Sequence, residues 1–559
     1  MQKPKLAGDP IKFEVIKNAL QAVSEEMSVA LSRSAYSTNI KTRLDFSCGL
    51  FDRDLRMINQ ASNQPVHLGL LYLAVPKALK SYVVSRLEEG DGLLINDAHQ
   101  GMAHLNDVCL ISPLYHGDEQ WGYVANLAHH VDVGGRAPGS IAVSTEIYQE
   151  GVIIPGTKIL RKGELDEEVF NLLRANVRGK KEFAGDLRAQ VASNKLAQRR
   201  MKELLDKFGK DAVAETIRVL YDYTERRTRF AIGEFPEGEY EGEGLVDDDG
   251  LSSDHIRIRA KVIIRGGEIS VDLTGSDAQC PGPMNSTFPQ SFSSCVYPLK
   301  TLLPPDIPAN HGFYKVLKVI APEGTVVNCS FPSAVVGGWE VGLKTVETVY
   351  RAFQKAMPER VAAEGKKTMY HLAFGGIDPR SQERFVFLET MAGGYGARPS
   401  SDGPDAVQAH HQNTENSPVE ELEIGYPVIL TRYELVPDSG GAGKYRGGLG
   451  LRREYMFRTN VTATILADTA LIAPRGSMGG KDGTVSRFVL RPASGKAKSL
   501  RSKTTFEVEK DSVLSLVTPG GGGYGSALDR EPSLILDDVK NGKVSAKAAL
   551  TLYGVKVDH

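Results

Sequence analysis

Near the start of the chain, Phe13, Ile16, Leu20, Val23, Met27 and Leu31 recur at steps of three and four residues. That spacing predicts a long amphipathic helix with one apolar face. Asp9-Pro10 just ahead supplies a cap and a proline for its first turn. Residues 41–58, KTRLDFSCGLFDRDLRMI, read as a strand, a turn and a second strand, and QPVHLGLLYLAVPKAL opens another helix just after His67. GDGLLINDAHQG is a short apolar strand that ends in polar turn residues. Residues 108–115 are branched and apolar, HGDEQ is a turn, and 121–127 form a second strand. A hairpin centred on that turn sets Asp107 opposite Ala128 and His104 opposite Val131.

Further along, 165–230 is charged and helical in spacing, with cations late in each segment. FPEGEYEGEGLVDDDG is an acidic, glycine-rich break. HIRIRAKVIIRGGEISVDLTG alternates strictly about Gly266-Gly267, the pattern of a β-hairpin, and 340–356 is a helix by periodicity. After Tyr426 the chain turns to short alternating strands with glycine clusters, GGAGKYRGGLG, GSMGGKDG and TPGGGGYG. The expected class is α+β, a large multi-domain chain: an N-terminal α/β metal-binding region over 1–235, a middle α+β region over 236–430, and a β-rich domain over 431–559.

Composition narrows the functional classes. The chain has 559 residues, 41% hydrophobic and 24% charged, with a net charge of −2. Such a balance leaves no electrostatic footprint for nucleic acid or an anionic membrane. No apolar run approaches a membrane span, and MQKPKLAGDP has no apolar leader core. Five cysteines without CxxC spacing read as reduced, buried thiols in a cytoplasmic protein. The glycine clusters are expected to form tight turns rather than anion-binding nests. No GxxxxGK[ST] exists, GGAGK lacks the first glycine of a phosphate loop, and no GxSxG elbow is present.

Of twelve histidines, six fall between His67 and His130. The expected hairpin gathers His104, Asp107, His129, His130 and Asp132 at one end. Imidazole nitrogens and carboxylate oxygens converging there suit zinc, manganese or iron(II). Asp45 lies among Leu44, Phe46, Cys48 and Leu50, so its carboxylate needs a metal or a partner such as Arg43. His67, at a helix start, reads more readily as a packed or capping residue than as a ligand.

Together, DPIKFEVIKNAL, RLDFSCGLFD, QPVHLG, NDAHQGMAHLNDVCLISPLY, NLAHHVDVGG, DLTGSDAQ, APEGTVVN, GAGKYRGGLG and TPGGGGYG resemble the hydantoinase B/oxoprolinase B-type subunits. These include subunits of ATP-dependent hydantoinases and caprolactamases and relatives in acetone and acetophenone carboxylases. The resemblance implies an ATP-binding A-type partner subunit in a heterotetramer or larger assembly, which phosphorylates the carbonyl oxygen of a small cyclic amide. The B-type chain then completes ring opening with water activated by one divalent ion, zinc or manganese. It also implies Asp45, His104, Asp107 and His129 as metal ligands, with His130 and Asp132 as catalytic proton-transfer residues. NDAHQGMAHLND departs from many relatives, which carry a Pro-Tyr pair and glycines between Asp97 and His104, so the usual substrate is not implied. The alternatives are a ketone carboxylase subunit, a scaffold whose metal is structural, and a stand-alone metallohydrolase.

Overall fold

The computed structural model describes residues 9–81 and 87–557; the opening MQKPKLAG, where no leader core is expected, lies outside them. Helix Pro10–Ser34 begins where the sequence predicts, with the Asp9 carboxylate accepting from the Ile11 amide. Ile16, Leu20, Val23, Met27 and Leu31 are buried on one face, while Phe13 is only half-buried. That face packs with Ala189, Ala197, Met201 and Leu205 of helix Lys180–Phe208 and with Ile217 of helix Lys210–Gly233. These two helices occupy the charged 165–230 stretch, as its spacing predicts.

Under these helices lies a seven-stranded sheet built from residues 46–165. Its central hairpin pairs Asp107–His116 with Glu119–His129. Near the turn the pairing follows the sequence expectation, His116 with Glu119 and Tyr115 with Gln120. The next pair is Leu114 with Gly122, so Trp121 is an extra residue, a β-bulge. The bulge shifts all later pairs by one, and Asp107 therefore faces His129, not Ala128. This corrects the expected register and brings two candidate ligands directly opposite each other. Strand Phe46–Asp52 flanks the hairpin, pairing Phe46 with Ala128, and the His129 amide donates to the Asp45 carbonyl.

A second, four-stranded sheet holds the predicted hairpin, Ile256–Arg265 with Glu268–Asp272, turning on Gly266 and Gly267 at φ +59° and +74°. Helix Gly338–Ala356 lies on it so closely that a Cβ on Gly242 would meet the Thr348 carbonyl oxygen at 2.0 Å. The third sheet pairs His371–Ile377 with Arg384–Thr390 and with Val461–Leu466, so strand pairing crosses the boundary expected at 430. The fourth, over 428–517, shares one apolar core with it through Phe374, Phe387, Tyr455 and Leu516.

GSMGGKDG turns tightly as expected, with Gly479 at φ +95° and the Gly480 amide donating to the Ser477 carbonyl at 2.9 Å, but the other two glycine clusters differ from expectation. Gly440, Gly447, Gly448, Gly521 and Gly522 do not have positive φ. A Cβ on Gly447 would meet the Gly521 oxygen at 2.0 Å, and one on Gly448 the Pro404 oxygen at 1.9 Å. These segments are extended chains stacked backbone on backbone, cross-linked by Gly521 N–H to Gly448 O at 2.9 Å and Gly441 N–H to Gly521 O at 2.8 Å. Glycine is required by contact distance rather than by turn conformation. All five cysteines are unpaired and four are buried. Among the described residues no helix is long and apolar enough to cross a membrane.

Candidate metal centre

The end of the bulged hairpin builds the site. Asp107 starts one strand, His129 ends the other, and His104 stands three residues before Asp107 in a turn closed by the Asp107 amide donating to the His104 carbonyl at 3.0 Å. Buried asparagines hold that turn. Asn96 donates to the Leu105 and Val152 carbonyls at 2.8 and 2.9 Å, and Asn106 to the His130 carbonyl at 2.9 Å. Ligand-capable atoms of His104, Asp107 and His129 lie within 4.8 Å of one another. The three side chains are 0%, 0% and 4% exposed.

The electrostatics follow from that burial. Burial alone would raise the Asp107 carboxyl, but the imidazoles of His104, His67 and His129 outweigh it and hold the carboxyl below the usual range. Burial, then the neighbouring His104, pushes His129 well down. His104 Nε2 lies 3.3 Å from Asp107 Oδ2 without hydrogen-bond geometry, and both His104 nitrogens and Asp107 Oδ1 are buried without hydrogen-bond partners. Buried polar atoms are rarely left so. Two imidazoles and a carboxylate converging in this way fit a divalent ion such as zinc, manganese or iron(II).

Surrounding side chains orient the three. The Asn39 amide nitrogen lies 3.0 Å from His129 Nδ1 and donates to the His129 carbonyl at 2.8 Å, while Asn39 Oδ1 accepts from Arg43 at 2.5 Å. The Trp339 indole N–H donates to Asp107 Oδ2 at 3.4 Å. Such outer contacts fix ligand geometry.

Two expectations shift. Asp45 is half-buried and not among the three converging groups. Its Oδ1 accepts from Gln64 at 3.4 Å, and burial, opposed by Arg43, pushes its carboxyl up to about 6. Arg43 hydrogen-bonds elsewhere, to Asn39, Leu388 and Thr390. His67 lies in the site: its Nε2 is 3.9 Å from Asp107 Oδ1 and its Nδ1 3.1 Å from Ser47 Oγ. Position at a helix start concealed this; its sequence proximity to Asp45 was the usable signal.

His130 and Asp132, implied as proton-transfer residues, are not brought to the cluster. Successive strand residues point to opposite faces, so His130 turns away, placing Nε2 2.9 Å from Gln190 and its ring against Phe183. Asp132 accepts from the Gly134, Gly139 and Arg178 amides and pairs with the Arg178 guanidinium at 3.1 Å. Both brace the loop after the hairpin. His99 and His116 also point elsewhere, to the Ser333 carbonyl and Asp206. Reading the sequence alone missed Trp339, His371 and the pair His410-His411, all from distant segments. His371 Nδ1 lies 3.7 Å from Glu340 and lacks a hydrogen bond.

Comparison with known proteins gives concordant matches. The family described as hydantoinase B/oxoprolinase matches residues 9–527. An uncharacterized protein of Methanocaldococcus jannaschii is 40% identical over 555 residues, covering 98% of this chain and 96% of that protein. The putative D-/L-hydantoinase B subunit of Pseudomonas sp. (strain NS671) is 32% identical over 569 residues, covering 98% and 95%. The crystal structure of ATP-dependent caprolactamase from Pseudomonas jessenii superposes with a TM-score of 0.90 at 30% identity, covering 99% of this chain and 97% of that one.

Proposed function

The chain belongs to the hydantoinase B/oxoprolinase family, and from that premise we propose that it is the metal-bearing subunit of an ATP-dependent cyclic amide hydrolase. The observation that carries this reading is the buried set His104, Asp107 and His129, whose ligand-capable atoms converge within 4.8 Å while both His104 nitrogens and Asp107 Oδ1 lack hydrogen-bond partners. The ATP-binding step is assigned to a partner A-type subunit. Its support is a hydantoinase relative named as a B subunit, a caprolactamase termed ATP-dependent, and a sequence without a phosphate loop.

An unstrained amide is a poor electrophile, and phosphorylation of its oxygen removes the resonance that protects the carbon. Bound at this site, a divalent ion supplies Lewis acidity. His104, Asp107 and His129 would hold it, with Asp45 as the fourth donor at the margin of the site. Asn39 and Trp339 keep His129 and Asp107 aimed. His67, which burial pushes down to about 4, is neutral and offers an uncharged imidazole beside Asp107. Water is restricted by the burial of every one of these groups except Asp45.

The test is co-purification with the A-type partner, metal analysis, and assay of ATP-dependent opening of hydantoin, 5-oxoproline and caprolactam beside a ketone with bicarbonate. Stoichiometric zinc or manganese with ring opening is expected. ATP-dependent carboxylation of the ketone without ring opening overturns the hydrolase reading.

A further inference from the structure

The segment 410–415, HHQNTE, reaches the loops beside the metal centre from the far half of the chain. Asn413 is anchored to Gln64 and Asn63: its amide donates to Gln64 Oε1 at 3.0 Å and its side chain to the Asn63 carbonyl at 2.8 Å. The Glu415 amide donates to the Arg43 carbonyl at 3.3 Å. The segment is thus tied to the same two loops that carry Asp45 and His67.

Within it, His411 is fully buried, and neither ring nitrogen has a hydrogen-bond partner. The ring meets Trp339 edge-on and Tyr297 at a tilt, with centroids 5.6 and 5.7 Å away. Trp339 in turn lies 6.4 Å from the His67 ring and donates to Asp107. His411 is therefore one aromatic ring removed from the converging donors. The Ser293 backbone lies near enough to favour a ring N–H, but makes no hydrogen bond with it. Nearby, Gln412 Oε1 is also buried without a partner.

A metal ion accounts for the free atoms of His104 and Asp107, but His411 is not among the converging ligands. Burial, with His410 and His67 close by, pushes its ring down to about 3, so it is neutral, with one N–H and one lone pair. An uncharged donor-acceptor group with aromatic neighbours matches an uncharged ring amide better than a carboxylate or phosphate, which would draw cations. We propose that His411 contacts the substrate, hydrogen-bonding the amide of a cyclic ring held beside the metal centre. The proposal rests on the cyclic-amide reading above.

The internal structure makes a separable test. Because His411 makes no internal hydrogen bond, His411→Phe removes a buried polar ring and leaves no orphan, so stability should be unchanged or raised. Binding is read from Trp339 fluorescence of the full chain with added zinc, in a Trp121→Phe background, titrated with hydantoin, 2-pyrrolidone and caprolactam. Saturable quenching is expected. His411→Phe should weaken it by about tenfold or more, the scale of one lost hydrogen bond, at unchanged zinc content and unchanged or higher Tm. His411→Gln, which keeps a donor and an acceptor, should recover part of the loss. Quenching that His411→Phe leaves unchanged overturns the proposal alone, and so does weakened binding accompanied by a lower Tm and no rescue by Gln. Absence of saturable quenching in the parent chain overturns it together with the cyclic-amide reading.

Discussion

If the glycine clusters are a backbone-packed core, alanine at Gly521 should be among the most damaging single-methyl additions in the chain. Its Cβ would stand 2.0 Å from the Tyr395 carbonyl oxygen, 2.4 Å from the carbonyl carbon and 2.8 Å from Gly396 N, where ordinary contact begins at 3.4 Å. Backbone must move by more than an ångström, and it has nowhere to go. Gly396 already faces the Ala363 oxygen and Gly394 the Gly448 oxygen at distances that admit no Cβ. Three backbone hydrogen bonds are exposed to that movement: Gly521 to Gly448, Gly441 to Gly521, and Gly448 to Tyr395. Overpacking costs about 1–3 kcal/mol, and three bonds at about 1 kcal/mol each add a similar amount. The expected loss is about 4–6 kcal/mol.

Gly425→Ala is the internal control. That glycine ends helix Val419–Gly425, has no positive φ, and meets nothing within 4 Å. Alanine there should stabilise by about 0.4–1 kcal/mol through the unfolded chain. Urea denaturation followed by fluorescence compares the two. A Gly521→Ala protein within about 1 kcal/mol of the parent would show that these glycines serve as flexible turns after all.

Other outcomes follow from the site and from the buried charges. His129→Ala should keep the chain soluble, since a core of this size does not need one ion to fold, while ATP-coupled turnover falls by about a hundredfold or more; near-normal turnover by a metal-free mutant would refute a catalytic ion. Isothermal titration of the chain alone should show no micromolar ATP binding, because the Gly441 and Gly521–Gly523 amides already donate to carbonyls inside the core. Asp468, buried between Lys344 at 2.6 Å and Lys503 at 2.8 Å, is held below the usual carboxylate range by those lysines against the opposing effect of burial. Its contribution to stability is therefore present above about pH 4 and lost as pH falls through the lowered folded value. Asp468→Asn, which strands two buried lysines, should cost about 3–5 kcal/mol at pH 7, and chemical denaturation at pH 7 and pH 3 should show the difference shrinking in acid.

How far the sequence carried the site depends on which periodicity was in play. Helix Pro10–Ser34 and the hairpin at Gly266-Gly267 were legible because one spacing rule governs every residue in them. The candidate metal cluster was legible only to within a residue: three of its expected members converge, yet the pairing that joins two of them depends on Trp121, which the alternation of 121–127 gives no reason to single out. A large aromatic 9% exposed beside the helical layer is the physical cause consistent with the bulge, since it packs with Leu114 and Val124. Without that extra residue Asp107 would face Ala128, and His129 would be displaced toward the face now taken by His130. The same parity argument explains why His130 and Asp132, gathered with the ligands by density along the chain, stand apart from them in the fold: density ignores which side of a strand each residue takes. The groups that complete the surroundings, Trp339, His371 and His411, come from segments more than two hundred residues away from Asp107 and carry no local signature. Only the packing of the second and third sheets against the first brings them there, so no window of sequence could have supplied them.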